Sequence, residues 1–130
     1  MLKFGLIAGS LLSMLSVVLG AFGAHYLKNT LNDYSLSVFQ TGVLYQFFHS
    51  IGILVLVLLS KSINNLNLDL SIWFFTLGII LFSGSLYLLA ITGLKWLGAI
   101  TPIGGMFFIL GYVSITFQIC FQNPQNQIGN

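Results

Sequence analysis

FQTGVLYQFFHSIGILVLVLLS, residues 39–60, carries no charged side chain over 22 positions. As an α-helix it would rise about 33 Å, enough to cross the hydrocarbon core of a bilayer. The nearest charges on either side are Asp33 and Lys61. Outward from this stretch the pattern repeats. The six charges of the chain are Lys3, Lys28, Asp33, Lys61, Asp69 and Lys95, and they leave four long neutral intervals, 4–27, 34–60, 70–94 and 96–130. Each interval holds one membrane span and none comfortably holds two. The spans are placed at 4–24, 39–60, 71–91 and 101–121. The expected fold is an all-α membrane protein, a bundle of four transmembrane helices in one domain, 1–121. A polar Gln/Asn-rich tail at 122–130 is expected to be disordered.

Composition removes the alternatives. Of 130 residues only 5% are charged, against about 25% in a soluble domain. The hydrophobic fraction is 57% and mean hydropathy is +0.99. Six charges cannot cover the surface of a water-soluble fold of 14.3 kDa. A nucleic-acid partner is excluded on similar grounds, since phosphate binding rests on clustered Lys and Arg. Here four lysines lie far apart and arginine is absent. Cys120 is the only cysteine, so no disulfide forms within the chain.

The first span needs a check against a cleaved signal peptide, because Ala21-Phe22-Gly23 offers small residues at peptidase-like spacing. The apolar run from Phe4 is longer than a signal h-region and its basic flank is Lys3 alone, so it reads as a retained helix. Lys3 and Lys61 fall on one side of the membrane, Lys28 and Lys95 on the other. That even count leaves the amino-terminal charge to favour both termini in the cytoplasm, in an inner (plasma) membrane. Asn32 or Asp33 suits the start of the second helix, and residues 61–70 read as a polar loop. Gly93 reads as a helix end, with Thr101-Pro102 as N-cap and first residue of the last helix. Trp73 and Lys95-Trp96 read as interfacial anchors. His25, at the end of the first helix, reads as a C-terminal cap favoured by the helix dipole, with proton or headgroup contact as the alternative.

Lipid tails are as apolar as leucine, so membrane helices associate by close packing and by hydrogen bonds between them. Gly5, Gly9, Ser13, Ser16, Gly20 and Ala24 form one small-residue stripe on the first helix. Gly84 on the third and Gly104 and Gly105 on the fourth are further candidates for helix contact. The alternative for such stripes is a groove kept open for a lipid or a quinone.

Four segments, taken together, resemble a known family. They are Gly20-Ala21-Phe22-Gly23-Ala24-His25; Phe39-Gln40-Thr41-Gly42 leading to Tyr45-Gln46-Phe47-Phe48-His49; Leu81-Phe82-Ser83-Gly84-Ser85-Leu86-Tyr87; and Leu97-Gly98-Ala99-Ile100-Thr101-Pro102-Ile103-Gly104-Gly105. Their order is similar to that of the YgdD-like small inner-membrane proteins, catalogued as domain of unknown function 423. The resemblance covers roughly residues 4–120. It implies a four-helix integral membrane protein and implies no activity.

The residues themselves offer little catalysis. A metal site needs three or four ligands, and only His25, His49, Asp33, Asp69 and Cys120 are available. His25 and His49 differ in depth by about 15 Å at 1.5 Å per residue, so they cannot share an ion. No metal, no cofactor and no enzymatic activity are expected. The one concentration of polar groups within a span is Thr41, Tyr45, Gln46, His49 and Ser50, which helical spacing places on one side. Near mid-membrane that side must face the bundle interior. One reading is a hydrogen-bond network that fixes packing. The other is a ligand or proton site at neutral His49, with Tyr45, Gln46 and Tyr87 as companions. The chain therefore reads as a small membrane protein of accessory or structural type, contacting lipid, another membrane protein or itself. The alternative is a transporter-like bundle that handles a small molecule or a proton around His49.

Overall fold

In a computed structural model, residues 1–121 are described, and they form five helices: α1 (Leu2–His25), α2 (Asp33–Ser62), α3 (Asp69–Gly78), α4 (Gly84–Thr92) and α5 (Thr101–Phe121). The tail expected at 122–130 lies outside the described residues. One π-helical turn, Ile79–Ser83, joins α3 to α4 without a break, so the two make a single rod. Short 3-10 turns at Leu27–Asn29 and Lys95–Ala99 follow α1 and precede α5. Four rods result, Leu2–Asn29, Asp33–Ser62, Asp69–Thr92 and Lys95–Phe121, each long and apolar enough to cross a membrane.

Local chemistry sets the helix ends. Asn32 Oδ1 accepts the Ser35 N–H at 2.8 Å, which makes Asn32 the N-cap and Asp33 the first helical residue. Residues 33–38 of the connection expected at 25–38 are therefore the first turn and more of α2. Asn67, one residue ahead of the N-cap position Leu68, accepts the Asp69 N–H on its Oδ1 at 3.0 Å, and Asp69 opens α3. Both carboxylates sit in first turns where the helix dipole favours a negative charge. Gly93 ends α4 with φ at +72°, a left-handed conformation that a Cβ would strain. Thr101 does not cap α5. Ile100 is already helical (φ −77°, ψ −33°) and its carbonyl accepts the Gly104 N–H at 3.2 Å, so the Thr101 hydroxyl is free to reach another helix. Pro102 still falls in the first turn, where a missing N–H costs nothing.

The rods run antiparallel in chain order. Gly5, Gly9 and Gly23 of α1 lie against Val57, Leu54 and Phe39 of α2. Gly52 and Gly42 of α2 lie against Phe75 and Tyr87 of the third rod. Gly104 and Gly111 of α5 lie against Phe82 and Phe75. Thus α2 and the α3–α4 rod are the inner pair, and α1 and α5 cover them from outside, each with a largely exposed outer face. An apolar core of Ile53, Leu56, Ile72, Phe75, Ile79 and Phe108 fills one half of the bundle. A smaller one, Leu27, Phe39 and Ala90, closes the other. Between them the interior is polar: Gln46, His49, Ser50, Ser83 and Ser85 are all buried.

Two expectations about small residues are corrected. The α1 stripe ends on Gly23, which is buried, and not on Ala24, which is exposed. Gly23 follows Gly5 by 18 residues, about five full turns, whereas one more residue turns the side chain roughly 100° away. Gly84 faces open space, with no atom within 4 Å of where a Cβ would stand. The Ser83 carbonyl lies toward Gly42 of α2 and Ser85 bonds to α5, so the residue between them points away from both partners.

Candidate functional site

Helical spacing on α2 buries Phe39, Gly42, Gln46, His49, Ser50, Ile53, Leu56 and Val57, a continuous face in which the middle is polar. Amides at mid-membrane need partners, and Gln46 finds one at each end. Its Nε2 donates to the Leu12 carbonyl of α1 at 2.9 Å. Its Oε1 accepts the Tyr87 hydroxyl proton from α4 at 2.8 Å. One side chain thereby ties α1 to α4 through α2. Gly42 allows this, because a Cβ there would stand 2.8 Å from the Tyr87 ring.

Serines extend the belt. Ser13 of α1 donates to Ser50 Oγ at 2.9 Å, and Ser50 donates to its own helix at the Phe47 carbonyl. Across the bundle, Ser85 and Thr101 share a hydrogen bond of 2.8 Å. The Ser85 proton goes to the Phe82 carbonyl, which leaves Thr101 as the donor of that bond. The same stretch of α5 brings Gly104 against the Phe82 backbone: a Cβ on Gly104 would stand 2.7 Å from Phe82 Cα. Thr101 and Gly104 together clasp the rod at its π-helical turn.

His49 is inward, with 6% of its surface exposed, yet it stands apart from Gln46 and Tyr87. Its Nδ1 lies 2.8 Å from the Tyr45 carbonyl of its own helix. Its ring stacks on Phe108 of α5 at 3.5 Å between centroids and meets the Phe75 ring edge-on at 5.1 Å. The four residues read together from the sequence fall into two settings: Gln46 with Tyr87, and Tyr45 with His49. The reason is angular. Residues 46 and 49 lie about 60° apart on the buried face, three steps of about 100° falling short of one full turn, so one addresses α1 and α4 while the other addresses α5.

Beside His49, between α2 and α5, lies a groove of about 650 Å³ lined by Tyr45, Phe48, Phe82, Gly105, Phe108 and Tyr112 among others. It is open to the side of the bundle, where lipid would be. A carbonyl accepts and cannot donate, so the bond to Tyr45 places the proton of a neutral imidazole on Nδ1. Nε2 is then a bare acceptor, and among the described residues no partner meets it.

Other residues singled out from the sequence sit at the rod ends. His25 is the last residue of α1, exposed, one turn from the free carbonyls. Lys95 and Trp96 open the 3-10 turn before α5, and Trp96 is well exposed. At the opposite end Trp73 stacks on Phe4, at 4.6 Å. Among the described residues no three His, Cys, Asp or Glu side chains come together as a metal site would require. The Leu12 carbonyl and Phe108 were not singled out. A backbone acceptor has no signature in sequence, whereas Phe108 shares a helix face with Gly104 and Gly111 and is legible by that spacing.

A family model described as "Protein of unknown function (DUF423)" matches residues 19–105. That region takes in Gly23, Gln46, His49, Tyr87 and Gly104. The chain is 43% identical over 114 residues to a UPF0382 membrane protein of Staphylococcus haemolyticus, covering 88% of this chain and 93% of the relative. It is 42% identical over 121 residues to one of Staphylococcus saprophyticus, covering 91% and 100%. The UPF0382 membrane protein YwdK of Bacillus subtilis is 41% identical over 115 residues, covering 88% and 94%. No solved structure shows a significant match.

Proposed function

Because this chain belongs to the DUF423 family of small integral membrane proteins, whose role is undefined, we propose that it works as a non-catalytic accessory protein of the inner (plasma) membrane. Its outer helices offer lipid, or another membrane protein, a ready-made apolar face. The supporting observation is how Gln46 is used. The most polar group at mid-membrane is spent at both ends on neighbouring helices, so it builds the scaffold and is not held ready for a substrate. Outside that scaffold α1 and α5 present Leu11, Val17, Met106 and Val113, each at least half exposed. We place the end that carries Lys3 and Lys61 in the cytoplasm. Diazirine side chains at Val17 and Val113 in living cells test the accessory role. Adducts with lipid or a defined membrane protein are expected from these faces and none from Leu56. Adducts from Leu56 alone, or a substrate turned over by the purified protein, would remove it.

A second reading, a small-molecule or proton-handling site at His49, is favoured by one observation. The imidazole lines a side groove and its Nε2 has no partner among the described residues.

A further inference from the structure

Taking that second reading further, we propose that the groove between α2 and α5 binds a neutral, flat, apolar molecule bearing a phenolic hydroxyl, which donates its proton to Nε2 of His49. Three observations converge on this class. His49 is more than nine-tenths buried, and with Nδ1 committed to the Tyr45 carbonyl its remaining polar atom is an acceptor beside the groove. An unmet acceptor at this depth is costly, so a ligand that satisfies it must bring an O–H or N–H donor. The surrounding surface is aromatic, with Tyr45, Phe48, Phe82, Phe108 and Tyr112 on the walls, and His49 itself lies flat on Phe108. Such walls favour a planar ring by offset or edge contact. Among the described residues no cationic or anionic side chain lines the groove, which disfavours a charged headgroup.

The groove also has room by design of the sequence. Gly105 faces it, and a Cβ there would meet only the Phe82 ring at 3.7 Å, ordinary contact. Close packing therefore does not require glycine at 105, as it does at 104. A larger side chain at 105 would stand in the groove and leave the helix contact intact.

The test uses the full-length protein in lipid nanodiscs with ¹⁵N-labelled histidine, and exposed His25 as the internal reference. Titration with 1-naphthol should move the His49 Nε2 resonance, starting from an unprotonated Nε2. The donor-free 1-methoxynaphthalene should bind more weakly by roughly 3- to 30-fold, the equivalent of one membrane-buried hydrogen bond. That preference should vanish in His49→Phe, read there through Phe and Tyr signals of the groove. Gly105→Leu should abolish binding of both probes at unchanged thermal stability; Met106→Trp, on the exposed rim, is the second blocking variant. Equal binding of both probes, or an Nε2 that already carries the proton, would overturn the phenol proposal and leave an apolar groove standing. Absence of binding by either probe, or binding untouched by both blocking variants, would overturn the groove as a site and the second reading with it.

Discussion

Replacing Gly104 by alanine adds one methyl group, and the structure says where it would go. The new Cβ would stand 2.7 Å from both Cα and Cβ of Phe82 and closer still to its backbone nitrogen. Backbone cannot swing aside as a side-chain tip can, so α5 must retreat by about 1 Å, an overpacking cost of about 1–3 kcal/mol. The same retreat stretches the 2.8 Å bond between Thr101 and Ser85 past useful range, about 0.6 kcal/mol more. Against this, alanine is the better helix former by about 1 kcal/mol. The net is a loss of roughly 0.5–2.5 kcal/mol. Gly84→Ala, with open space around it, gains the propensity and suffers no clash. Gly105→Ala, with only ordinary contact, should be neutral or mildly stabilising. Thermal unfolding in one detergent orders the three: Gly104→Ala lowest, Gly84→Ala at or above wild type. A Gly104→Ala protein as stable as Gly84→Ala would show that α5 does not approach the α3–α4 rod backbone to backbone.

Tyr87→Phe should lower stability by about 0.6 to 2 kcal/mol in the same assay, because Gln46 Oε1 is left without its donor at mid-membrane; an unchanged midpoint would remove that bond from the scaffold. Gly9→Leu should be far more damaging than Gly20→Leu. A Cβ on Gly9 would stand 2.7 Å from the Leu54 side chain and 3.2 Å from the Ser50 carbonyl, whereas one on Gly20 would meet only a Val43 methyl at 3.3 Å; equal unfolding midpoints would contradict the packing of α1. For topology, native Cys120 on the exposed end of α5 and a cysteine placed at Leu2 in a Cys120→Ser background should react with a membrane-impermeant maleimide from the same face. Labelling from opposite faces would break the four-rod arrangement.

Much of this architecture is legible in the chain because charge is so scarce. Six charges mark every turn between rods, and 22 neutral residues from Phe39 to Ser60 leave a span as the sole reading. The polar side of α2 is equally plain, since membrane depth forces Gln46, His49 and Ser50 inward. What spacing could not supply is partner choice. Gln46 and His49 share a buried face in sequence, yet an offset of about 60° within that face is enough to give them different partner helices. Gly84 looks like Gly104, both glycines in a helix beside small residues, and only the position of neighbouring rods makes one a contact and the other open. The π-helical turn at Ile79–Ser83 has no mark in composition. It accompanies the close approach of Gly104 to Phe82, a tertiary fact. Thr101 shows the opposite lesson: a residue with good capping chemistry is diverted because a 3-10 turn has already started the helix.

Within α2 labour is divided: Gln46 holds the helices together and His49 faces the groove. The midpoints of thermal unfolding of Gln46→Leu and His49→Phe, taken in the same nanodiscs without added ligand, test it directly. Leucine at 46 removes the donor to Leu12 and the acceptor of Tyr87, so a loss of about 1–3 kcal/mol is expected. Phenylalanine at 49 keeps the stack on Phe108 and gives up only a bond to its own helix, so the midpoint should stay near that of wild type. A His49→Phe protein destabilised as much as Gln46→Leu would make the imidazole part of the scaffold and contradict the account.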